Sequence, residues 1–194
     1  MAAIKFSYVH KPHRFLCILI FFALFIETVS RVLWFFKTSN LFLWPIYITI
    51  EFSLLLWIYS LILENNFLTK TRRWLLAVFL GLILTRAFYQ SGESVLIDNS
   101  GRLIESALII YFVLAYYYKI FQELKIQTLW RDSFFWVSSG LLLFFSGNFL
   151  IFVFLNFILL YSTKLNDQIW VIHAFLNYLL YSVYTFALWI SPKK

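Results

Sequence analysis

The sequence predicts an all-α fold, a polytopic integral membrane bundle of six transmembrane helices with both termini cytoplasmic. Three observations predict it. First, 62% of the 194 residues are hydrophobic and only 13% are charged, whereas a soluble domain carries roughly 25% charged residues. Second, the apolar residues gather into six continuous runs, each long enough to cross a bilayer core of roughly 30 Å as a helix. Third, the basic residues fall mostly in the connections of one side. Nothing between the runs is long enough for a soluble catalytic, nucleotide-binding or DNA-binding domain, so the chain reads as a single transmembrane domain over 1–194. The net charge of +7 therefore sets membrane orientation and does not point to nucleic acid.

The spans read as about 15–36, 41–63, 73–90, 103–121, 134–160 and 169–190. A basic segment from Lys5 to Arg14 precedes the first, as before a signal peptide, but the apolar run continues to Phe36 without an A-x-A cleavage site. It reads as a retained signal-anchor span. Short polar connections separate the rest, with breakers such as Glu64-Asn65-Asn66, Ser91-Gly92-Glu93 and Asp98-Asn99-Ser100-Gly101. Connections this short make consecutive helices antiparallel neighbours. Barrel strands would alternate in polarity over about 10 residues, and these runs do not.

Orientation follows from the basic residues. Eleven of them (Lys5, Lys11, Arg14, Lys70, Arg72, Arg73, Lys119, Lys125, Arg131, Lys193, Lys194) fall on one side of a six-span layout. Only Lys37, Arg102 and Lys164 fall on the other. By the positive-inside rule both tails are cytoplasmic. Trp34, Trp44 and Trp170 then sit near the outer interface, and Trp74, Trp130, Trp136 and Trp189 near the inner one.

Ionisable and amide side chains inside spans are costly, which makes them the candidate site. Glu27 and Arg31 lie about 18 and 24 Å from the inner surface, four residues apart on one helix face. Glu51 lies about 15 Å from the outer surface and Arg86 about 20 Å from the inner one. Glu105 and His173 lie near the outer ends of their spans, and Asn148 about 21 Å up the fifth. Asn177 is four residues from His173 and faces the same way, a pairing that reads as an interhelical hydrogen bond rather than a metal site. These eight residues all fall between the mid-plane and the outer face, so they read either as structural pairs or as an outward-facing ligand site. Catalysis through a carboxylate and His173 is the weaker reading, because no nucleophile motif accompanies them. No lysine lies inside a span, which excludes a retinal Schiff base, and no metal-ligand spacing occurs. No cofactor is expected. The single cysteine, Cys17, rules out an internal disulfide.

Two further patterns bear on assembly. Ser139-Gly140 and Ser146-Gly147 are seven residues apart, a spacing of small residues that lets another helix approach closely. Packing within the chain is the expectation and a homodimer through Gly140 and Gly147 the alternative. The segments around Glu51, Glu105 and His173 also echo one another weakly (IEFSLLL, IESALII and IHAFL), as three hairpins each contributing one polar residue would.

Four segments carry a resemblance. They are ETVSR from Glu27, LWPIYITIEF from Leu43, SFFWVSSGLLLFFSGN from Ser133 and WVIHAFLN from Trp170. Together they resemble an uncharacterised family of small multi-pass membrane proteins of Bacteroidota, most specifically in the second and fifth spans. The resemblance implies a bacterial inner-membrane location and a gene often placed beside a sensor histidine kinase, with no known catalytic activity. The expected function is a sensory or accessory membrane subunit acting through such a partner. A small-molecule or ion transporter is the alternative, disfavoured because Pro45 and the terminal Pro192 are the only in-span prolines and the inner half lacks charge. An intramembrane lipid-modifying enzyme using Glu51, Glu105 and His173 is the third reading.

Overall fold

The computed structural model describes residues 11–40, 42–64, 66–89, 99–123 and 129–191, apart from the side chains of residues 66, 67, 86–89 and 163. All regular structure among the described residues is helical: α1 (Lys11–Phe35), α2 (Leu43–Ile62), α3 (Asn66–Tyr89), α4 (Ser100–Glu123), α5 (Ser133–Tyr161) and α6 (Thr163–Ile190), with a 3₁₀ turn at Leu129–Arg131 before α5. Five of these helices, α1, α2, α4, α5 and α6, are long and apolar enough to cross a membrane. Large apolar side chains remain exposed along them, among them Phe25, Leu114, Phe154, Phe157, Val171 and Phe175. A chain of this kind puts those surfaces against lipid. The basic residues Lys5, Lys125, Lys193 and Lys194, used above for orientation, lie outside the described residues.

Three helices start well before their apolar runs. α3 begins at Asn66 rather than 73, α4 at Ser100 rather than 103, and α6 at Thr163 rather than 169. Hydropathy marks where a chain enters apolar surroundings, but backbone hydrogen bonding continues through Lys and Arg, which are good helix formers. Two of the turns carry clear signals. After α1, Lys37 takes the left-handed conformation (φ 55°). There the Thr38 N–H donates to Leu33 O and the Lys37 N–H to Trp34 O, both at 2.9 Å. That is a Schellman ending, with lysine where glycine is usual. Between α5 and α6 the expected connection from Tyr161 to Gln168 shrinks to one extended residue, Ser162, whose Oγ accepts from Leu165 N at 3.4 Å and caps α6. α5 is capped in turn by Asp132, whose Oδ1 accepts from Phe134 N at 2.9 Å while its Oδ2 accepts from Tyr116 Oη at 2.6 Å.

The chain divides into two compact units, one holding α1 to α3 and the other α4 to α6. In the first, α2 is the middle helix, packed on both α1 and α3. The Phe52 and Phe79 rings meet at 4.2 Å between centroids, and Phe22 stacks on Tyr47 at 6.1 Å. Arg72 lies 4.1 Å over the Trp57 ring and donates to Ser60 Oγ, tying the start of α3 to the end of α2. In the second unit, α5 is the middle helix, packed on α4 and α6. Gly140 and Gly147 face α6. An added Cβ would come within 3.0 Å of Val183 Cγ1 at the first and 2.7 Å of Leu176 Cδ1 at the second. The small residues therefore serve close packing of α5 on α6 within the chain.

Candidate functional site

The second unit gathers buried polar groups at the end where α4 begins. Asn99 stands at the N-cap of α4, its carbonyl accepting from Leu103 N at 3.0 Å. One turn on, Arg102 Nη1 donates to Glu105 Oε2 at 2.7 Å, with side chains only 5% and 0% exposed. Ser106, beside them, is also fully buried. Asn99, Arg102 and Ser106 are spaced i, i+3, i+7, so they form one stripe along α4. Farther down the same helix the buried residues are Ile109, Phe112, Val113, Tyr116 and Ile120. There α4 makes polar contacts through the Tyr116 hydroxyl on Asp132 and the Tyr117 hydroxyl on Ser139.

A second group of polar side chains joins α5 to α6. His173 Nδ1 meets Asn148 Oδ1 at 2.6 Å, and Asn177 Nδ2 meets His173 Nε2 at 3.0 Å. An amide oxygen only accepts and an amide nitrogen only donates, so Nδ1 carries the proton and Nε2 accepts. Both ring nitrogens of a neutral imidazole are thus used. Trp170, Phe144 and Phe152 surround the ring, with centroids 5.5, 6.1 and 6.1 Å away. A histidine held in this way positions helices. To act as a general base or metal ligand it would first have to give up the Asn177 hydrogen bond.

In the first unit, Glu27 and Arg31 do pair, Arg31 Nε donating to Glu27 Oε1 at 3.1 Å. The pair lies on the open surface of α1, with the Arg31 and Glu27 side chains 77% and 66% exposed. Glu51 is buried on α2 and accepts from Tyr47 Oη at 3.1 Å. The Arg86 side chain, expected to meet Glu51, lies outside the described residues. Of the eight expected site residues, the second unit joins Asn148, His173 and Asn177 by hydrogen bonds, while Glu105 pairs with Arg102 on α4.

Three participants are additions to the sequence reading. Arg102 counts there as a loop cation, yet it is a buried helical residue, and Asn99 and Ser106 were not singled out. A signal for Arg102 was present. An arginine three residues before a span carboxylate lies on the same helix face. The alternative one-turn spacing, four residues, pairs Tyr47 with Glu51, Glu27 with Arg31, and His173 with Asn177. In comparisons with known proteins, no family model, no curated protein and no solved structure matches the chain.

Proposed function

We propose that the protein is a six-span integral membrane protein of the bacterial inner membrane, both tails cytoplasmic, that serves as a sensory or accessory subunit. In this reading α3 also spans, in addition to the five helices long and apolar enough to cross a membrane. A polar site in the second unit takes a ligand from the outer side, and the helices pass the change to a membrane partner. The resemblance of the second and fifth spans makes a sensor histidine kinase the candidate partner. The observation that carries the reading is the Arg102–Glu105 pair, buried to 5% and 0% exposure in the same unit as the Asn148–His173–Asn177 clasp. A buried ion pair is poor value as stabilisation, since well-packed apolar residues do as well or better. Its retention at one end of an otherwise apolar unit is better explained by a binding role. A homodimer through Gly140 and Gly147 has less support, because both glycines already receive α6 of the same chain.

The test replaces the pair by apolar residues of similar size, Arg102→Met with Glu105→Leu, in the native strain. Membrane level of the protein and output of the neighbouring kinase are measured in the same cells. A near-normal level with lost or locked output supports the sensory role. A normal level with normal output refutes it.

A further inference from the structure

The end of the first unit where α1 and α3 begin gathers basic and aromatic side chains. Phe22 meets Tyr47 and Phe15 meets Trp57, with centroids 6.1 and 5.6 Å apart. Residue numbers fall along α1 as they rise along α2, so the two helices are antiparallel. The Phe52–Phe79 and Trp57–Arg72 contacts show the same for α2 and α3. The starts of α1 and α3 therefore meet the last turns of α2, and Trp57 is contacted from both helices. Five basic residues belong to this end, Lys11 and Arg14 on α1 and Lys70, Arg72 and Arg73 on α3. Among the described residues, Glu64 is the carboxylate set against them. A clear positive excess remains.

Arg72 is held in a defined place there. Its guanidinium carbon lies 4.1 Å from the centre of the Trp57 ring, and its Nη1 donates to Ser60 Oγ at 3.4 Å. Stacking occupies the flat face of the group and leaves its edges for hydrogen bonds. Of its five N–H donors, Ser60 takes one, and no other hydrogen bond engages them among the described residues. Lys11, Lys70 and Arg73 are exposed at the same end. The surface one to two turns farther along is apolar, with Ile18 on α1 and Trp74 and Val78 on α3 exposed. A soluble anion would meet only the charges. A phospholipid meets both, its phosphate at the guanidinium edge and its chains along the apolar side chains.

We infer that the Arg72 guanidinium, stacked on Trp57 and supported by Lys11, Lys70 and Arg73, binds the phosphate of an anionic phospholipid. Basic clusters beside spans attract such headgroups, and an arginine fork suits two oxygens on one phosphorus. This site lies outside the polar site of the second unit. It needs only that the chain sits in a bilayer, so its failure leaves the sensory reading to its own test.

The experiment offers phosphatidylglycerol or phosphatidylcholine in mixed micelles to the full-length protein, delipidated in a non-ionic detergent. Bound lipid is counted by native mass spectrometry. The wild type should hold phosphatidylglycerol about tenfold or more tightly than phosphatidylcholine. Arg72→Gln should weaken that binding by about fivefold or more, and Arg72→Lys should restore only part of it, since an ammonium has no fork. Lys11→Gln changes an exposed side chain, should cost about fivefold, and carries the test if Arg72→Gln does not fold. Arg131→Gln, at an exposed basic residue of the second unit, should leave the binding nearly unchanged. Inorganic phosphate should not displace the lipid when compared with chloride at equal ionic strength. Equal retention of the two lipids, full recovery in Arg72→Lys, the same loss in Arg131→Gln, or displacement by inorganic phosphate overturns the inference.

Discussion

At Glu105 the chain keeps a carboxylate wholly out of contact with solvent, and the arginine one turn earlier makes that tolerable. Removing either group breaks a buried pair, which typically costs about 3–5 kcal/mol. Glu105→Gln and Arg102→Gln should therefore each lower stability in detergent by about that much. The double variant should recover most of the loss, a large coupling that a denaturation cycle would read directly. Losses that simply add would show that each group relies on a different partner. The same scale explains what was legible. The residues Glu27, Glu51, Glu105 and His173 stood out as polar groups in apolar runs. What spacing alone did not reveal is which face each one takes. Glu27 and Arg31 pair on an exposed face and Glu51 is buried beside Tyr47, though all lie at span depth. Burial depends on neighbouring helices, and composition carries no record of those.

Among the helices, α5 depends most on the absence of side chains. Val183 opposes Gly140 with its Cβ at 3.2 Å and Cγ1 at 3.0 Å from an added methyl. A β-branched residue in a helix has one favoured rotamer, so relief there requires the backbones to part. At Gly147 the close atom is Leu176 Cδ1, the end of a flexible side chain. Gly140→Ala should thus lower stability by about 1–2 kcal/mol. Gly147→Ala should be close to neutral, its crowding offset by up to about 1 kcal/mol of helix propensity. Melting midpoints of the two purified variants compare them, and equal losses would contradict the packing described. The spans themselves were readable because continuous apolar runs have one helical solution in lipid. Their starts were not, because Lys70, Arg72 and Arg73 continue α3 below its apolar stretch. Ser162 shows the opposite case: one capping residue replaces what reads as an eight-residue connection.

For the molecule as a whole, composition already required a membrane, and the five apolar helices agree with it. The division into two three-helix units, each built on a middle helix, was not readable from hydropathy, which counts spans without saying which ones pack. The central claim is that the polar site of the second unit opens outward. Cys17 is the only cysteine, so Cys17→Ser gives a clean background for single-cysteine labelling. Gln168 and Gln122 are both exposed, the first near the start of α6 and the second near the end of α4. The decisive measurement is labelling of Gln168→Cys and Gln122→Cys in that background with a membrane-impermeant maleimide, before and after cell permeabilisation. The six-span account predicts that Gln168→Cys reacts in intact cells and Gln122→Cys only after permeabilisation. The reverse pattern would place Arg102, Glu105 and His173 toward the cytoplasm and contradict an outward-facing site.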